Sequence, residues 1–125
     1  MKRVILTELA PVPVAPYSQA IEMNGMLFVS GQVPVNPATG KVVNGDIRDQ
    51  TVQVMENIGA ILTAAGYSFQ NVVKATCLLS DMADFSGMNG VYATYFPTDP
   101  PARAAFAVRE LPLGVKIEIE VVAMK

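Results

Sequence analysis

The stretch Pro101-Ala102-Arg103-Ala104-Ala105-Phe106, followed after the turn Leu111-Pro112-Leu113-Gly114 by Val115-Lys116-Ile117-Glu118-Ile119-Glu120, decides how this chain is read. Its second half alternates with period two. Glu118 and Glu120 fall on one face of a strand, and Ile117, Ile119 and Val121 on the other. Taken alone, that alternation describes a surface strand with a solvated polar face. The first half argues for more. Arg103 stands among small and apolar residues, with no acidic residue among its immediate neighbours to neutralise it. Its rigid planar fork suits a carboxylate or phosphate brought from elsewhere.

Working outward, 125 residues fit a single domain, 1–125, with one core and no internal boundary. A hydrophobic fraction of 51% against 16% charged residues is high for a small protein, and predicts apolar surface hidden in an oligomer. Net charge is −2, and the nine basic residues are scattered rather than gathered into a stripe that would neutralise phosphate backbones. Nucleic acid is therefore not an expected partner. No apolar run approaches about 18 residues, and Met1 to Glu8 lacks the apolar core of a signal peptide, so a cytoplasmic protein without a membrane partner is expected.

A single cysteine, Cys77, excludes an intramolecular disulfide and fits a reducing compartment. The absence of histidine excludes a Ser-His-Asp triad, a Cys-His pair and every histidine-containing zinc site. Chemistry is left to carboxylate, arginine, tyrosine, hydroxyls, backbone and water, and neither metal nor cofactor is expected.

Arg3 to Leu6 reads as a short strand, and three prolines between Pro11 and Pro16 then force an extended segment that delivers Tyr17. Asn24-Gly25 between two apolar runs is the signal for a type I′ hairpin joining Ala20–Met23 to Met26–Ser30. Gly31 marks a bulge, a turn or a close backbone approach. Val33 to Lys41 reads as a proline- and glycine-punctuated loop. Asp46 caps a long amphipathic helix with Ile47, Val54, Met55, Ile58, Ile61, Leu62 and Ala65 inward and Gly66 as its stop.

Asn71 to Ser80 reads as a strand with Val73, Ala75, Cys77 and Leu79 on its apolar face, and Cys77 as a small buried hydrophobe. Asp81 or Asp84 caps a second helix with Phe85, Met88, Val91, Tyr92, Tyr95 and Phe96 inward; Asn89 lies on it as a polar residue of the kind usually solvated. Two helices against one mostly antiparallel or mixed sheet make a two-layer α+β domain with one sheet face uncovered, which identical subunits would cover.

Beyond Pro101-Ala102-Arg103 and Ile117-Glu118-Ile119, the chain carries Ala15-Pro16-Tyr17-Ser18-Gln19-Ala20, Phe28-Val29-Ser30-Gly31-Gln32-Val33-Pro34, Asn57-Ile58, and Asn89 followed by Tyr92. Together these resemble the RidA/YjgF family over nearly the whole length. The resemblance implies a chorismate-mutase-like fold, a homotrimer whose sheets form a central barrel, and ligand clefts between subunits. It also implies hydrolysis of reactive enamine and imine acids, 2-aminoacrylate/2-iminopropanoate and 2-iminobutanoate, to 2-keto acids and ammonia. In that scheme Arg103 clamps the substrate carboxylate, Glu118 holds the attacking water, and Tyr17, Ser30, Gly31, Asn89 and Ala105 line the cleft. Ala105 stands where many deaminase members carry cysteine, leaving a backbone N–H as its contribution.

An iminium carbon is already electrophilic, so orientation, a placed water and proton transfer suffice without histidine or metal. Chorismate mutase itself, which needs cations for two carboxylates and a developing ether-oxygen charge, is poorly served by four arginines at 3, 48, 103 and 109. A non-catalytic sensor or interaction module binding 2-keto acids in the same cleft is the alternative that fold resemblance leaves open.

Overall fold

The period-two pattern of the last strand is carried into the fold. In β8 (Ile117–Met124), Ile117, Ile119, Val121 and Ala123 are buried, whereas Glu118, Glu120, Val122 and Met124 are not. The computed structural model describes residues 1–125 and places β8 between β3 (Met26–Gln32) and β6 (Val72–Leu79), antiparallel to both. Beyond β6, β7 (Ala102–Ala107) pairs in parallel and forms one edge of the sheet. Beyond β3, β2 (Ala20–Met23) and β1 (Arg3–Ile5) form the other. The sheet is mixed and mostly antiparallel, and α1 (Ile47–Ala65) and α2 (Phe85–Tyr95) complete the core with it.

Local chemistry sets the joints. Asn24 and Gly25 both adopt positive φ, 54° and 76°, as a type I′ hairpin requires. Asp46 accepts from the backbone N–H groups of Arg48 and Asp49 at 3.0 and 3.1 Å, and Asp49 accepts in return from Asp46 N–H, closing a capping box. At the other end of α1, Arg3 donates to the Ala65 carbonyl at 2.9 Å and Lys125 to the Gly66 carbonyl at 2.8 Å, cations placed where the helix dipole is negative. Asp81, not Asp84, supplies the cap before α2: it accepts from Ala83 N–H, opening a 3₁₀ turn that runs into the helix. Gly87 lets α1 and α2 approach closely, since a Cβ there would lie 2.6 Å from Cγ2 of Ile47.

Two expectations are corrected. The apolar face of β6 takes Val72 in place of Val73, because the ladder to β8 shifts between Val72 and Lys74 and turns Val73 outward. The segment after Gln32 is not wholly loop, for β4 (Val35–Asn36) and β5 (Lys41–Val42) pair across a turn closed by Gly40 N–H donating to Asn36 O at 2.8 Å. The first strand also ends one residue earlier than the sequence suggests, at Ile5. Cys77 is fully buried as expected, and burial pushes its thiol up to about 11 although the Arg103 guanidinium acts in the opposite direction.

Three buried carboxamides tie loops to this framework. Gln19 accepts from Thr7 N–H at 2.7 Å and donates to the carbonyls of Thr7 and Pro11 at 2.9 and 3.0 Å. Asn57 on α1 donates to the Val33 and Val35 carbonyls, and Gln50 accepts from Lys116 N–H at 2.9 Å. The proline-rich segment thus hangs on one side chain. The face of the sheet away from the helices stays open, with Val4, Met23, Phe28, Phe106 and Met124 each about half exposed.

Gln19→Ala leaves backbone groups of residues 7–11 without their partner, each a loss of about 1–3 kcal/mol if it stays buried. Denaturant unfolding is expected to show a lowered midpoint, and proteolysis to cut first within residues 7–16. An unchanged midpoint and cleavage pattern would show that the segment is held by other contacts.

Candidate functional site

The ladders decide which side chains can meet. Arg103 on β7 pairs with Ala75 on β6, and Ala75 with Val121 on β8; both partners are buried, so Arg103 projects on the helix-covered side. Glu118 pairs with Leu78, on the opposite parity, and projects on the open side. The two residues with the strongest chemical claim therefore lie on opposite faces of one sheet. The candidate site is built as two halves.

The first half gathers around Arg103 at the sheet edge. Its Nη1 donates to Asn89 Oδ1 at 2.8 Å, and its guanidinium carbon lies 4.9 Å from the ring centroid of Tyr92 and 5.6 Å from that of Phe85. The chain's one ion pair joins Arg3 to Glu22, so the half-buried charge of Arg103 has no carboxylate partner. A cleft of about 360 Å³ opens beside it, lined among others by Asn89, Tyr92, Phe96 and Pro101. Ala105 is the ladder neighbour of Cys77, and its small side chain packs against the core.

The second half is held by the irregularity in β3. The ladder to β8 shifts between Val29 and Gln32, and Gly31 lies against the Glu118 carboxylate so closely that a methyl group there would collide with it. Of the readings offered for Gly31, the register shift bears out the bulge. Ser30 donates its hydroxyl to the Ser18 carbonyl at 2.6 Å, and its N–H to the Gln19 carbonyl at 2.9 Å. Tyr17, next along that segment, is about half exposed. Burial, and secondly the Glu120 carboxylate, hold the Glu118 carboxyl above the usual carboxylate range. Arg103 is not among the groups that shift it within one chain.

Ser30, Gly31 and Glu118 thus collect on one side, and Asn89, Arg103 and Ala105 on the other, while Tyr17 precedes Ser18, whose carbonyl accepts from Ser30. Phe85 and Tyr92 belong to the Arg103 half, although the sequence gives neither a site role: Phe85 reads as an inward helix residue, and Tyr92 as one that also follows Asn89 in the resemblance. Their signal was the spacing 85, 89, 92, which puts a polar residue between aromatics on one helix face. No group of three or more cysteine, aspartate or glutamate side chains forms a metal-binding cluster, and no helix is long and apolar enough to cross a membrane.

Comparison with known proteins agrees with this fold. A family model described as Endoribonuclease L-PSP matches residues 7–125. A RutC family protein of Pyrococcus horikoshii is 58% identical over 125 residues, covering 100% of this chain and 99% of that protein. A protein of Mus musculus named 2-iminobutanoate/2-iminopropanoate deaminase is 45% identical over 125 residues, covering 100% of this chain and 93% of its own. The crystal structure of a protein of unknown function from the conserved Rid protein family of Yersinia pestis superposes with a TM-score of 0.98 at 46% identity, covering 100% of both chains. With near-complete coverage at these identities and the same two-layer architecture, the chain belongs to the YjgF/RidA family.

Proposed function

We propose that this protein is a hydrolytic deaminase that converts 2-aminoacrylate/2-iminopropanoate and 2-iminobutanoate to 2-keto acids and ammonia. The observation that carries the reading is the half-buried guanidinium of Arg103, which donates one hydrogen bond to Asn89 but has no counter-ion. A carboxylate ligand completes it through two parallel N–H donors. The relatives named imine deaminases give the substrate class, since the acids they are named for carry such a carboxylate.

The reaction needs little more. Water adds to the imine carbon while Glu118 accepts its proton. Glu118 passes that proton to nitrogen and then relays the proton of the new hydroxyl to the same nitrogen, so that the carbonyl forms as the carbon–nitrogen bond breaks and ammonia leaves a 2-keto acid behind. The enamine form enters by protonation of its terminal carbon. Burial raises the proton affinity of the Glu118 carboxyl, which favours its taking the proton of the attacking water. Ser30, Gly31, Tyr17, Asn89 and the backbone of Ala105 line the cleft around the substrate, and no thiol takes part.

Because Arg103 and Glu118 face opposite sides of the sheet, a substrate touching both must lie between two chains. We therefore propose a homotrimer in which the open sheet faces form a central barrel and each cleft joins the Arg103 half of one protomer to the Glu118 half of its partner. The half-exposed Phe28, Phe106 and Met124 supply the apolar contact. The endoribonuclease description of the family model finds no support in a chain of net charge −2 without histidine.

In a dehydratase-coupled assay corrected for spontaneous hydrolysis, Arg103→Lys is expected to fail almost as badly as Arg103→Ala, since an ammonium lacks the fork. Loss of a charge-assisted pair worth about 2–5 kcal/mol lowers kcat/KM roughly 30- to 5000-fold. Near-normal kcat/KM in Arg103→Lys would reject the clamp.

Glu118→Gln is expected to lower kcat by about 10²-fold while sparing 2-keto acid binding, whereas Glu120→Gln changes kcat little. In the parent protein kcat/KM falls as pH drops and Glu118 takes up its proton, with a midpoint above the ordinary glutamate value. Glu118→Gln removes that acid limb. Unchanged background-corrected kcat in the variant would favour a binding or sensing role.

Light scattering at micromolar concentration is expected to give three times the 13.3 kDa chain mass. Mixed assemblies of Arg103→Ala and Glu118→Gln chains then recover part of the lost activity, because some clefts combine two intact halves. A stable monomer, or no recovery in demonstrably mixed assemblies, would refute the shared cleft.

A further inference from the structure

Asn89 cannot by itself fix a guanidinium. One bond from Nη1 at 2.8 Å leaves the fork free to rotate about that contact, and beyond it only the weakly accepting Cys77 thiol lies within reach of the guanidinium. Two aromatic rings from the same face of α2 lie against the cation, Tyr92 at 4.9 Å and Phe85 at 5.6 Å. They are not equivalent. Phe85 is only partly buried, whereas Tyr92 is 6% exposed and is itself wedged against Phe96, with ring centroids 4.8 Å apart. Phe96 in turn meets Phe69 edge-on at 5.5 Å. Tyr92 is thus the fixed end of an aromatic chain, and Arg103 rests on it.

The Tyr92 hydroxyl is buried without any hydrogen-bond partner. Burial pushes it up to about 12, so the ring stays neutral and never becomes a phenolate counter-ion to the arginine. The Cys77 thiol beneath is held neutral in the same way. Groups behind the guanidinium therefore offer a π face and neutral dipoles but no negative charge, which leaves the cation's attraction directed at what enters the cleft.

We infer that Tyr92 is a positioning residue for the ligand clamp, its ring face holding the Arg103 guanidinium in place while leaving its charge unneutralised. This rests on the reading of Arg103 as the carboxylate-binding group. The ring carries the role and the hydroxyl does not, so Tyr92→Phe keeps the function and also removes a buried unpartnered polar group.

Two measurements on the full chain test it, with 2-oxobutanoate as the probe. Calorimetric binding is expected to weaken about 3- to 30-fold in Tyr92→Leu, the range of a partly desolvated cation–π contact. Tyr92→Phe is expected to bind as the parent does. In nitrogen-15 NMR, only four arginine Nε–H resonances arise, and Arg103→Lys identifies the one of interest. That resonance is expected to be ring-shifted in the parent and in Tyr92→Phe, and to move towards the free-arginine position in Tyr92→Leu. Should Tyr92→Leu not fold, Tyr92→Met, which is flexible enough to fill the space without a π face, takes its place.

An unshifted Arg103 resonance in the parent overturns the inference, as does a leucine or methionine variant with parent-like binding and resonance. Loss of binding in Tyr92→Phe equal to that in Tyr92→Leu also overturns it, by moving the role to the hydroxyl. If Arg103→Lys binds 2-oxobutanoate as the parent does, the clamp reading falls separately, and the Arg103 resonance alone then decides whether Tyr92 holds the cation.

Discussion

Everything in this fold answers to the two-residue period of β8. Its odd-numbered residues, Ile117 to Ala123, are sealed into the core, and that seal fixes the register of the strands on both sides. A slip of one residue would bury Glu118 and Glu120 and expose the isoleucines, a change no other contact in the domain could offset. The same period commits Glu118 to the open face. Through Val121, Ala75 and then Arg103, it commits the guanidinium to the other. The pattern that makes the core also divides the site.

The division explains why polar groups are arranged as they are. On the Arg103 side, no carboxylate pairs with the guanidinium and two aromatic rings lie against it, which keeps its charge available. On the Glu118 side, a glycine gives the carboxylate room and a second glutamate raises its proton affinity. One half holds an unpaired cation and the other a crowded acid, and the proposed homotrimer would bring the two together around a substrate.

Much of this was legible in the residues, for physical reasons. Helix caps and the Asn24-Gly25 turn are local chemistry and stand where the sequence puts them. The alternation of β8 and the burial of Cys77 follow from periodicity. What escaped depends on neighbours distant in sequence. Val72 replaces Val73 because β8 shifts past β6, and no pattern within residues 71–80 records that shift. The roles of Phe85 and Tyr92 as supports for Arg103 need the parallel pairing of β6 and β7, which brings residue 103 beneath residues 85–92. Resemblance supplied Tyr17, Ser30, Gly31, Asn89 and Ala105 as a set; the ladders added that the set is split between faces.

The position of β8 in chain order has a kinetic side. It is the last of the eight strands to be synthesised, yet it occupies the space between β3 and β6, whose facing edges stay unpaired until residues 117–124 emerge. Hairpin β2–β3 and the β6–α2–β7 unit can form early as local pieces, but neither can bury its apolar face against the other. From the completion of β6 at Leu79 until β8 begins at Ile117, the nascent chain carries two exposed strand edges, the condition that favours aggregation. Closure comes in a late step dominated by long-range contacts, which makes folding slow and cooperative for a chain this short.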